Sequence, residues 1–220
     1  MEPKRVGEAM KRSKLSPPIE LIGNTLDEKI DYVYDIFDNA FMKKDSRPHY
    51  KGKFIFFNME KLAIINGKKI NLTKCERFYH IISIDKKESV DMFPCYNSNE
   101  YVMCNTKCEI SQSKTEIAYL QRVECLYRLS RIHRINEVIN LANENDENIE
   151  QWEMYTRDNK NKIVCKAYIR YNLGNDDFIV ILKKENKKEI ESYTFITAFP
   201  VFLKGSKRKY DREYKKFNSK

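Results

Sequence analysis

Three histidines, a run of arginines, threonines in apolar strand-like segments and tyrosines near the end of the chain are the residues that can do chemistry here. No Gly-rich phosphate loop, HExxH or nucleophile elbow occurs, so nucleotide hydrolysis and zinc proteolysis have no support. There is also no acidic cluster of the kind a two-metal nuclease needs. The remaining set suits metal-free chemistry at phosphate. RNA carries its own nucleophile, the 2′-hydroxyl, so a protein need only move protons and steady a phosphorane. Imidazole titrates close to neutral pH and suits the proton transfer. Guanidinium is always charged and forks onto phosphate oxygens, and Thr or Tyr hydroxyls add neutral hydrogen bonds. Among the histidines, His49 lies in a polar loop, SRPHYKG, and reads as a surface residue. His133 completes R-x4-H with Arg128, the loose signature of all-helical HEPN ribonucleases, but a β-rich second half argues for a helix-packing role. His80 follows Arg77 in FYHIISI, where alternation reads as a strand; a structural role and a catalytic one both stay open.

Charge points to a partner. The net charge is +9, and residues 1–14 and 204–220 hold all of the excess, leaving a balanced body. Basic ends fit a polyanion, because Lys and Arg near phosphates release counterions; they also serve solubility alone. Cys95, Cys104 and Cys108 cluster in CYNSNEYVMCNTKC, with only one plausible close pair, so they are weak zinc candidates and otherwise ordinary thiols. Cys125 and Cys165 sit in apolar patterns and read as core. No apolar run is long enough to span a bilayer, and the first residues lack the apolar core of a secretory signal. The expectation is a soluble, cytoplasmic protein without disulfides.

These residues need a scaffold. Residues 1–24 read as a flexible basic arm, 25–203 as a single domain and 204–220 as a basic tail helix. Thr25 and Glu28 form a capping box that opens an amphipathic helix near 26–42. FIFF, LAII, INL and FYHIISI read as short strands, with Asn66-Gly67 marking a hairpin. Residues 86–113 read as an irregular loop, and a second capping box, Ser113 and Glu116, opens a helical pattern running to about 143. Three strands follow: IVCKAYIRY, FIVIL as a central strand buried on both sides, and YTFITAFPVFL with a bulge or edge near Pro200. In the first, Ile163, Cys165, Ala167 and Ile169 share one face, and Lys166, Tyr168 and Arg170 the other. That second face reads as solvated or as an RNA-binding surface. The predicted class is α+β: two main helices packed on a C-terminal antiparallel sheet, with an inserted hairpin region and a cysteine-containing loop.

The segments ERFYHIIS, CLYRLSRIHRINEVI and DFIVILKK…SYTFITAFPVF…KRKYDREYKKF, with Trp152 in EQWE, resemble a family from prophages and mobile elements. That family is similar to the barnase–EndoU–colicin–RelE (BECR) group, which packs helices on a four-stranded antiparallel sheet. The resemblance implies a metal-independent endoribonuclease without cofactors, toxin-like, acting on RNA and countered by a protein antitoxin or inhibitor, with no membrane role. It makes His80 the leading acid/base, Arg128 and Arg131 the phosphate binders and Thr197 a sheet-face hydroxyl. It also assigns Arg208, Tyr210 and Arg212 to RNA contact or to helping the leaving group, while strand alternation offers Lys166 and Arg170 as RNA contacts on the sheet. The alternatives are a nucleic-acid-binding protein without catalysis, with or without zinc at 95–108, and a protein-interaction module.

Overall fold

The computed structural model describes residues 12–43, 45–65, 67–85, 92–94, 101–103, 122–158, 160–187 and 190–219. Among them the protein is α+β, with five helices and a six-stranded mixed sheet. The expected cysteine cluster and the 113–116 capping box lie outside the described residues.

Helix α1 (Leu26–Phe41) begins as its sequence predicts. The Thr25 hydroxyl accepts from the Glu28 amide, and the Glu28 carboxylate accepts from the Thr25 and Asn24 amides. Ile30, Val33, Phe37 and Phe41 form its buried stripe. Because the cap is exposed, Thr25→Ala should lower stability by about 1 kcal/mol without changing activity, as read from urea unfolding. Strands β1 (His49–Tyr50) and β2 (Lys53–Phe56) form a tight hairpin in which Lys51 and Gly52 both take positive φ; the second position suits glycine, which carries no Cβ to clash. Strands β3 (Leu62–Ile65) and β4 (Lys68–Asn71) make the hairpin expected around Gly67.

Residues 76–82 depart from expectation. They form helix α2 (Glu76–Ile82), not a strand, and only β5 (Ser83–Asp85) is extended. Phe78, Tyr79, Ile81 and Ile82 are all buried, a spacing of 1, 3 and 4 that belongs to one helix face. The chain continues through paired strands β6 (Met92–Pro94) and β7 (Tyr101–Met103). The expected continuous helix to residue 143 is also corrected. Strand β8 (Arg122–Glu124) pairs antiparallel with β5, and two helices, α3 (Leu126–Leu129) and α4 (Arg134–Asn143), follow it, separated by a turn.

Strands β9 (Ile149–Arg157), β10 (Ile163–Leu173), β11 (Asp176–Lys187) and β12 (Ile190–Pro200) form an antiparallel meander, and β2 joins the edge of β12 in parallel. The sheet order is β1-β2-β12-β11-β10-β9. Its inner face, with Ala167, Ile169, Phe178, Val180, Leu182 and Phe195, joins α1, α2 and α4 in the main core. Its outer face carries a second cluster of Trp152, Tyr168, Ile179, Ile181 and Val201, joined by Tyr210 of helix α5 (Lys204–Asn218). Strand β11 is therefore buried on both sides, as its unbroken apolar run predicts.

Both ends of the described chain are tied to the body. Leu15 and Leu21 enter the main core, Arg134 donates to the Ser16 carbonyl at 2.8 and 3.1 Å, and the Ile19 amide donates to the Ser130 carbonyl. Residues 12–22 thus lie along α3 and α4, unlike the loose arm expected there. His133 faces the same segment, beside Ser16 and Pro17, in the packing role expected for it. Helix α5 is fastened by Arg170, which is 1% exposed. Its guanidinium donates to both Asp177 oxygens at 2.8 and 2.6 Å, to Glu150 at 3.2 Å and to Asp211 of α5 at 2.7 Å.

Candidate active site

Burying Phe78, Tyr79, Ile81 and Ile82 turns the opposite face of α2 outward, and that face carries Arg77 and His80, one turn apart. Arg77 Nη1 donates to the Ile196 carbonyl at 2.6 Å. The partner is telling, because β12 is bulged at Ile196: Ile181 pairs with Thr197, while Leu182 pairs with Phe195. The extra residue re-aims the strand and sets both Ile196 and Thr197 toward the outer face, where Ile181 also lies.

The end of α2 is closed by guanidinium groups rather than by a C-terminal glycine. Ser83 is fully buried, and its hydroxyl donates to the Tyr79 carbonyl at 2.6 Å. Arg122 donates to the Ser83 hydroxyl at 2.7 Å, to its carbonyl at 2.8 Å and to the His80 carbonyl at 3.3 Å. Arg128 donates to the Ser83 carbonyl at 2.7 Å, with its guanidinium 5.3 Å from the Phe199 ring centre. Cations at the negative end of a helix are favourably placed, and they satisfy carbonyls the helix leaves open.

A cavity of about 300 Å³ opens between α2, the ends of β5, β8 and β12, and the start of α5. His80, Arg122, Arg128 and Thr197 line it, with Asp85, Phe199, Phe202 and Tyr210 completing the walls. Burial, with Arg122, Arg77 and Arg128 close by, pushes the His80 imidazole down to about 3. The ring is therefore neutral at neutral pH, with one nitrogen free to accept a proton. Burial and the neighbouring Tyr168 push the Tyr210 hydroxyl up to about 12, so it stays protonated. The arrangement is a positively charged, partly apolar pocket with a neutral imidazole, suited to a phosphate attached to a planar or aliphatic group.

Of the residues expected to act, His80, Arg128 and Thr197 meet in this cavity, although His80 arrives on a helix. Arg131 does not line it. Its guanidinium sits 3.4 Å from the Tyr127 ring centre and donates to the Tyr127 carbonyl, and Tyr127 packs edge-on against Phe202 of the wall. It braces the pocket from behind. Arg170 and Tyr210 are buried, so neither is a surface contact for RNA: the first is saturated by carboxylates and the second belongs to the cavity wall. Arg208 and Arg212 are exposed on α5, and Lys166 is half-buried on the outer face of the sheet. Sequence reading missed Arg122 and Asp85, which lie opposite each other in the β5–β8 pair. The available signal was the complementary triplets Ser-Ile-Asp and Arg-Val-Glu, each with an apolar centre.

Cys75 and Cys125 are buried, as a core role for the latter predicts, and Cys165 is half-buried with its thiol toward Glu153. Among the described residues no cluster of His, Cys, Asp or Glu could hold a metal ion, and no helix is long and apolar enough to cross a membrane. Cys95, Cys104 and Cys108 lie outside those residues. Comparison with protein-family models, characterised proteins and solved structures gives no match to this chain.

Proposed function

We propose that the protein is a metal-independent endoribonuclease, toxin-like and of the kind used in conflict between mobile elements and hosts, with the BECR nucleases as its nearest functional type. The observation that carries this reading is the convergence of His80, Arg122, Arg128 and Thr197 on one cavity of about 300 Å³. In the proposed reaction the His80 imidazole takes the proton of a 2′-hydroxyl, and the freed oxygen attacks the adjacent phosphorus. Arg122 and Arg128 face the growing negative charge on the phosphorane, and the Thr197 hydroxyl adds a neutral hydrogen bond. The bond from phosphorus to the 5′-oxygen breaks, that oxygen takes a proton from the Tyr210 hydroxyl, and solvent then takes the proton from the imidazolium and returns one to the tyrosine. The products are a 2′,3′-cyclic phosphate and a free 5′-hydroxyl. Burial is the main cause of the imidazole's low value, and a bound phosphate offsets the guanidinium charges that add to it, which raises its basicity when substrate is present.

The finer layout that the BECR relation requires, two main helices on a C-terminal antiparallel sheet, belongs to the same proposal; the β9–β12 meander supports it. Purified protein should cut RNA in EDTA and leave cyclic or 3′-phosphate ends, mapped by sequencing the termini. Strict dependence on added Mg²⁺ overturns the mechanism. A second reading, phosphate binding without cleavage, draws on the carbonyl bonds of Arg122 and Arg128, which give both guanidiniums a structural role in closing α2. In that case RNA binds with a steep salt slope and stays intact. An antitoxin or inhibitor protein is the partner expected under the first reading.

A further inference from the structure

Resting on that reading of the cavity, we infer that the open outer face of the sheet beside it is a stacking platform for unpaired RNA bases, with Phe54 and Phe56 as its anchors. Helix α5 covers the outer face over Trp152, Tyr168 and Ile179, but the next rows carry no helix among the described residues. Strand pairing sets Met154, Lys166, Lys183, Thr194 and Phe56 side by side across five strands. Phe54 lies one row further on, paired with His49 at a ring separation of 4.0 Å.

The alternation in β2 is inverted relative to a surface strand. Ile55 is fully buried in the main core, while Phe54 and Phe56 are 56% and 59% exposed on the other side. A core-facing isoleucine already satisfies the strand, so two exposed phenylalanines have no folding role that polar residues would not fill. They form the apolar part of a patch whose charged members are mostly basic. Lys166 and Lys183 stand in the same face, Glu185 pairs with Lys183, and Arg77 lies at the edge of β12 toward the cavity. Exposed aromatic rings among lysines bind single-stranded nucleic acid by stacking on bases and drawing in phosphates. A duplex keeps its base faces covered and cannot use the rings.

The patch is continuous with the cavity. Thr197 and Thr194 lie on the same strand and the same face, and Phe56 pairs with Thr194 on the neighbouring strand. From strand rise and spacing, Thr197 and Phe56 are roughly 10 Å apart, about one to two nucleotides of extended strand. Arg77, bonded to the Ile196 carbonyl, stands between them at the edge of β12. A strand whose scissile phosphate sits beside Arg122 and Arg128 would pass Arg77 and lay its next bases on Phe56 and Phe54. The substrate class is therefore RNA with unpaired nucleotides flanking the cut on one side.

The test is binding of an RNA of about ten nucleotides, methylated at every 2′-oxygen so that it cannot be cut, followed by fluorescence anisotropy. Phe54→Ala with Phe56→Ala should weaken binding by at least about tenfold, while the same RNA annealed to its complement binds both proteins equally. The thermal midpoint should not fall, because both side chains are exposed. Cleavage of a dinucleotide, which fills the cavity alone, should be unchanged in the variant. Equal binding of the single strand by both proteins overturns the platform, whether or not the dinucleotide is cut. So does a wild-type dimer in ultracentrifugation that the double substitution dissociates, which would make the face a contact between two copies. If the dinucleotide stays intact but single-strand binding depends on the two rings, the platform stands and the nuclease reading falls.

Discussion

His80→Gln should reduce RNA cleavage by about two to four orders of magnitude and leave the neutral-pH thermal midpoint nearly unchanged. Among the described residues lining the cavity, His80 carries the only imidazole, and the one carboxylate there, Asp85, lies opposite Arg122 in the β5–β8 pair. The same substitution has a pH signature that separates chemistry from folding. In the unfolded chain the ring takes up a proton below about pH 6.5, whereas the folded protein withholds it down to about 3. Between those values the unfolded state binds more protons, so wild-type stability falls as pH drops through that window. Burial is the first cause, with Arg122, Arg77 and Arg128 adding to it. Glutamine has no such proton to take up, so the variant should resist acid better than wild type by an amount on the order of a few kcal/mol near pH 4. Urea unfolding at pH 7 and pH 4 measures both. An acid response identical in the two proteins shows that the imidazole is not held in this way, and retained cleavage removes it from the mechanism.

Arg170→Met should have the largest effect on stability. One guanidinium serves Asp177, Glu150 and Asp211, and the Asp177 side chain is wholly buried. Removing the cation leaves the buried carboxylate with only the Lys207 ammonium at 3.8 Å, and breaking such a buried pair typically costs about 3–5 kcal/mol. Lysine should not rescue the loss, because a single ammonium cannot fork onto both Asp177 oxygens. Asp211 is the partner on α5, so the same variant should loosen that helix from the sheet and take Ser206 and Tyr210 away from the cavity. Trypsin reports this directly through earlier cutting at Lys204, Lys207 and Arg208. A variant whose α5 stays protected, with an unchanged urea midpoint, shows that the ion cluster does not fasten the helix.

The parts that were legible in the sequence are those where one signal dominates. Thr25 and Glu28 announced α1, Gly67 marked its hairpin, and the apolar run from Phe178 to Leu182 identified the central strand. Helix α2 was misread because Phe78, Tyr79, Ile81 and Ile82 crowd into a segment too short for period 2 and period 3.6 to separate, and the isoleucines weigh toward strand. Strand β9 escaped notice because Gln151 and Glu153 face inward, where Gln151 meets the Tyr50 hydroxyl and Glu153 meets Lys184, so polar residues appear on both faces. Arg122 to Glu124 carry helical propensity, yet pairing with β5 overrides it. For the site, residue chemistry singled out His80, and the family resemblance added Arg128 and Thr197. Their meeting depends on a bulge at Ile196 and on contacts far apart in the chain, which no local pattern encodes.

The cavity wall supplied by α5 also sets an order of events at the ribosome. His80 is synthesised roughly 130 residues before Tyr210 of the far wall, so at about 5–20 residues per second the imidazole waits several seconds or more for it. Until then a nascent chain holds the proton acceptor and the arginines but no closed pocket. Under the proposed nuclease activity, a ribosome-bound chain would endanger its own message, and the late arrival of α5 would postpone that hazard until the helix has docked.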